Sequence, residues 1–135
     1  MKKILFACLT ASVLFLFSCS NEKSEEKKIV GTWECYLLEE VYGDETEREE
    51  YAPGEITITF NADGTFSATV DENGDLSGGL ENGRYSISDG KLIISYEGDS
   101  IVLTIDKLTK KDLVVYEEGY DDGAYWRETI YFKKK

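Results

Sequence analysis

The sequence predicts an all-β domain, a single antiparallel barrel of eight strands in meander order, and three observations predict it. No stretch after residue 28 keeps a helical period. Eight short runs rich in Ile, Val, Thr, Tyr and Phe alternate apolar and polar residues instead. Turn residues of the Asn, Asp and Gly type separate the runs. A meander of strands leaves two bare edges, and closing the sheet is the arrangement that removes both.

The first run is Ile29 to Leu38, in which alternation puts Trp33, Cys35 and Leu37 on the buried face. Leu37 to Gly54 is so acidic that it carries a short helix or none, and with Pro53-Gly54 closing it the segment reads as a long loop. In Glu55 to Phe60 the residues Ile56, Ile58 and Phe60 alternate with Thr57 and Thr59. "NADG", Asn61 to Gly64, supplies a tight turn into Thr65 to Val70, whose Phe66, Ala68 and Val70 share a face. "DENGDLSGG", Asp71 to Gly79, is a second irregular segment. Gly83 to Ser88 and Lys91 to Tyr96 flank the turn in "SDGK" and form the next hairpin. Ser100 to Leu108, Asp112 to Tyr116 and Tyr125 to Phe132 complete the set, with Glu117 to Ala124 as the last loop.

Ahead of this domain, residues 1–18 read as an export signal. Lys2 and Lys3 precede an apolar core of 14 residues, Ile4 to Phe17, and small Ser18 precedes Cys19. A membrane-spanning helix needs about 20 apolar residues, so the core is too short to stay as an anchor. "LFSC", Leu16 to Cys19, resembles the lipobox of bacterial lipoproteins, which implies cleavage before Cys19 and acylation of that residue with palmitate-type chains. Residues 19–28 then form a flexible tether, because Ser20 to Lys28 offers no apolar side chain to offset ordering. Ser20 resembles the residue that follows the cysteine in outer-membrane lipoproteins. Glu22, Glu25 and Glu26 beside Lys23 resemble the export signals of surface lipoproteins in Bacteroidetes-type bacteria. The expected location is the outer membrane, facing the periplasm or the cell surface.

Removing residues 1–18 lowers Lys and Arg from 15 to 13 and leaves all 27 Asp and Glu, so the net charge moves from -12 to about -14. Such a chain repels nucleic acid and anionic lipid surfaces, and neither is expected as a partner. Of three cysteines, Cys8 leaves with the signal and Cys19 is acylated, so Cys35 has no intramolecular partner and packing alone holds the fold.

Catalysis finds little support. The chain has no histidine, which excludes His triads, His metal sites and imidazole acid-base chemistry. Cys35 lacks a neighbouring base and reads as an inert core thiol. Carboxylates are so abundant that chance pairs carry no catalytic signal. Asp71, Asn73 and Asp75 copy the opening of a calcium loop, but Leu76 stands where glycine is required and Asn82 where a bidentate glutamate is required. "GDLSGGLENG" lacks the lysine of a phosphate-binding loop. No cofactor, metal site or enzymatic activity is expected.

"IVGTWECYLL" opens the domain with Gly31-Thr32-Trp33, and this resembles the Gly-x-Trp signature of lipocalins. "ITFNADGTFSATV", "GRYSISDGKLIISY" and "LTKKDLVVY" extend the resemblance to the lipocalin-like domain found on Bacteroidetes lipoproteins, from Ile29 to the C-terminus, residues 29–135. The resemblance implies that Trp33 plugs the closed end of the barrel and that an arginine near the last strand packs across it. Arg127 is the nearest match, although alternation with Trp126, Ile130 and Phe132 turns it outward. Gly31, Trp33 and Arg127 are thus the structural candidates. An eight-stranded barrel is filled by side chains or holds one small ligand. The expected function is non-covalent binding of a small apolar or amphipathic molecule, with Trp33, Tyr85, Tyr96 and Trp126 as candidate contacts. The alternative is a protein-interaction module with a filled core, whose acidic loops at Leu37 to Gly54 and Glu117 to Ala124 bind a basic partner. Ionic strength separates the two, since charge-driven association weakens with salt.

Overall fold

A computed structural model describes residues 23–70 and 80–135. Helix α1 spans residues 23–29. Nine strands follow: β1 (Gly31–Tyr42), β2 (Glu45–Glu50), β3 (Ile56–Phe60), β4 (Thr65–Val70), β5 (Leu80–Ser88), β6 (Lys91–Tyr96), β7 (Asp99–Leu108), β8 (Asp112–Asp121) and β9 (Ala124–Lys134). Each strand from β3 onward pairs antiparallel with the next, and β1 pairs with both β3 and β9. Strands β1 and β3 to β9 therefore close an eight-stranded antiparallel barrel in meander order. The segment "DENGDLSGG", with Asp71, Asn73 and Asp75, lies outside the described residues.

The ninth strand replaces an expected loop. β1 runs on to Tyr42, and Gly43 at φ 58° turns the chain into β2, which pairs with β1 from Leu37↔Glu50 to Tyr42↔Glu45. The acidity that argued for a loop did not prevent pairing, because both faces of β2 are exposed and its charges stay in water. Likewise β8 continues past Tyr116 to Asp121 and meets β9 at a two-residue turn, Asp122 at φ 47° and Gly123 at φ 81°. Two positive-φ residues match the twist of an antiparallel hairpin, and Asp89-Gly90 makes the same turn between β5 and β6. At the "NADG" turn Asp63 Oδ1 accepts hydrogen bonds from the Thr65 amide at 3.0 Å and hydroxyl at 2.6 Å.

A β-bulge at Tyr36 corrects the expected facing of β1. Cys35 is in register with Phe132, but Leu37 is in register with Tyr131, so one residue is skipped. The inward set is Trp33, Cys35, Leu38 and Glu40, and Leu37 turns outward with Tyr131. Residues 23–28, expected as tether, belong to α1. Ile29 at the helix end is fully buried, and its carbonyl accepts the Trp33 indole N–H at 2.7 Å. One docked apolar residue is enough to organise the turns before it.

The core gathers at one end of the barrel, from Ile29, Trp33, Phe60, Phe66, Ile87, Leu92, Leu113 and Val115. No helix among the described residues is long and apolar enough to cross a membrane.

Candidate functional site

Trp33 is wholly buried and seals the closed end. Lys134 lies across it, with Nζ 5.1 Å from the ring, and donates to the Lys28 carbonyl at 3.0 Å. Gly31 makes room for this cation: its φ is 132°, and a Cβ there would stand 2.7 Å from Lys134 Cε. The part expected of Arg127 is thus taken by Lys134, because β9 points alternate residues inward and Lys134 shares parity with Phe132. Arg127 faces outward instead, with its guanidinium carbon 3.7 Å from the Tyr116 ring centroid and Nε donating to the buried Thr129 hydroxyl at 3.2 Å.

Above this plug the barrel is hollow. A cavity of about 270 Å³ is walled by Ile58, Phe60, Phe66 and Ala68 on β3 and β4, and by Leu92, Ile94, Ile101 and Leu103 on β6 and β7. Leu113 and Val115 on β8 and Ile130 and Phe132 on β9 complete the apolar wall. Among the described residues two carboxylates, Glu117 on β8 and Glu128 on β9, are the polar side chains of the lining. They are directly opposite in register, and Glu128 is also opposite Glu40 on β1, which is opposite Glu47 on β2. Four glutamates therefore stand abreast across the open end. Burial raises the Glu128 carboxyl above the ordinary glutamate range, and the charges of Glu40 and Glu117 raise it further.

The aromatic contacts expected from the sequence are placed elsewhere. Trp33 plugs the end. Tyr85 meets Phe60 edge-on at 4.8 Å and donates its hydroxyl to the Asn61 carbonyl at 2.7 Å, while Tyr96 packs against the core. Trp126 sits at the open end, its indole over Gly119, where a Cβ would approach Cζ2 and Nε1 to 3.0 Å. The cavity wall is aliphatic and phenylalanine-rich, since inward positions in a narrow barrel favour side chains with no polar atom to satisfy. Cys35 is buried, and desolvation pushes its thiol up to about 11. That holds it protonated and unreactive at neutral pH.

A second, larger space of about 420 Å³ lies outside the closed end between α1 and the Ala62–Gly64 turn, with Lys23, Glu26 and Lys27 along it. It opens on the surface beside charged side chains, whereas the barrel space is walled almost wholly by apolar ones, so the interior is the candidate site.

The model of the lipocalin-like domain matches residues 29–115. The chain belongs to the lipocalin-like domain family. Comparison with curated proteins and with solved structures gave no match. The lipocalin-like match ends in β8, whereas Glu117, Trp126 and Glu128 follow it in the chain. Fold and family fit ligand binding in general.

Neither Glu117 nor Glu128 is among the ligand contacts that the sequence suggests, yet part of their signal is there. Glu117 shares parity with Leu113 and Val115, and Glu128 with Ile130 and Phe132. Glu40 falls in the segment expected as a loop, and the bulge at Tyr36 also shifts its parity.

Proposed function

We propose that this lipocalin-like chain binds one small apolar or amphipathic molecule non-covalently inside the barrel, while an acyl anchor on Cys19 holds it at the outer membrane, facing the periplasm or the cell surface. The apolar cavity of about 270 Å³ supports this reading, as it is close to the lower limit of small-molecule pockets. Its walls are hydrophobic with few polar groups, the pattern of a site that gains affinity from burial and direction from a few contacts. Among the described residues no nucleophile-base pair lines it, and the buried Cys35 thiol is held protonated, so the protein is proposed to act by binding and without a cofactor.

Titrating the purified protein with N-phenyl-1-naphthylamine tests the cavity. Saturable one-to-one enhancement of probe fluorescence is expected, with a change in Trp126 emission at the rim, and the absence of both would refute the reading. The anchor has its own test. Cys19→Ser is expected to move the protein from the membrane to the soluble fraction and to remove the acyl mass, and an unchanged distribution would exclude it.

A further inference from the structure

Among the described residues that line the cavity, the wall is apolar except where Glu117 and Glu128 face each other across β8 and β9. Like charges directly opposite on one face of a sheet destabilise it. The ion pairs among the described residues engage other carboxylates: Glu39 with Arg48, Asp112 with Lys107, Glu118 with Arg127, and Glu34 with Lys135. Neither lining glutamate is matched by a cation there.

The surroundings share this sign. Asp44 and Glu45, Glu97 and Asp99, and Asp121 and Asp122 occupy the hairpins at the open end. Lys91, Lys107, Lys110, Lys111, Lys133, Lys134 and Lys135 fall in turns and strand ends around the closed end. An anion approaching the mouth is repelled, whereas a cation is drawn toward it. Beside the glutamates, Trp126 offers an indole face of the kind that attracts ammonium groups.

We propose that the cavity selects a cationic amphiphile, whose apolar chain or ring fills the aliphatic interior and whose amine or quaternary ammonium head sits against Glu117 and Glu128. This rests on the reading that the cavity binds a ligand, and adds the charge of its head group. A fatty acid would set a third carboxylate beside two, and a neutral lipid would leave both glutamates facing each other unrelieved.

The test is calorimetric titration at about pH 7 with decyltrimethylammonium and decanoate, each below its micellar concentration, and with decanol below its solubility limit. The ammonium is expected to bind at least about tenfold more tightly than decanoate. The preference is expected to fall to within about threefold in an E117Q/E128Q double variant whose circular dichroism matches wild type. If the double variant does not fold, the single variants E117Q and E128Q are each expected to lower the preference. Equal or tighter binding of decanoate, with decanol also bound, overturns the cationic assignment and leaves the cavity reading standing. Binding of none of the three overturns both, and an ammonium preference that survives the substitutions overturns the role of these glutamates.

Discussion

At the closed end, Ile29, Trp33, Gly31 and Lys134 interlock around one indole, with its N–H bonded and its face covered by a cation. At the open end Glu40, Glu128 and Glu117 stand abreast on strands that are equally well paired, over space that no described side chain fills. The same sheet thus carries a filled, polar-satisfied end that contributes stability and a hollow, like-charged end that gives some up. Groups that oppose folding and face a cavity are better explained by what enters the cavity than by the fold.

The sharpest way to break this contrast is to remove each tryptophan. Trp33→Ala leaves a large hole and an orphaned Ile29 carbonyl, and should cost about 3–5 kcal/mol by chemical denaturation. Trp126→Ala, at a partly exposed position, should cost about 1 kcal/mol. Comparable losses at the two sites would erase the distinction. Next, Gly31→Ala strains a backbone at φ 132° and pushes Lys134 aside, for an expected loss of about 1–3 kcal/mol. Lys134→Ala removes only the cation over Trp33 and one hydrogen bond, and about 1 kcal/mol is expected.

A smaller effect concerns pH at the open end. Glu128 is raised in the folded state above its ordinary value of 4.5, so the native form holds its proton more tightly than the unfolded chain. Its contribution is fully present below 4.5 and is lost as pH rises through the raised value. The stability of wild type relative to Glu128→Gln is therefore expected to decline between acid and neutral pH, and a difference flat with pH would show that the carboxyl is not perturbed. The smallest effect belongs to the exposed Arg48–Glu39 pair at 2.7 Å, where Arg48→Ala should change stability by less than about 1 kcal/mol.

Much of the barrel was legible in the sequence because a half-buried strand records its own facing. Ile56, Ile58 and Phe60 announce an inward row, and Asp89-Gly90 announces its turn. Two kinds of feature were not legible. Acidic strands such as β2 carry no alternation, since neither face is buried, and the β1–β2 hairpin passed for a loop. A bulge also changes parity with no residue type to mark it, which sent Leu37 to the wrong face and concealed Glu40. The plug was half legible: Gly31 and Trp33 stand in the signature, whereas the cation across them is a lysine beyond the last predicted strand. The cavity was not legible, because hollow and filled barrels share one pattern and differ only in the sizes of side chains such as Ala68.

Filling that space decides the central claim most directly. Ala68→Phe places a ring in the cavity from the middle of β4 while leaving both ends intact. Affinity for a neutral apolar probe is expected to drop at least about tenfold in a variant that keeps its β circular dichroism. Undiminished affinity would mean that ligands bind elsewhere, and the barrel interior would cease to be the site.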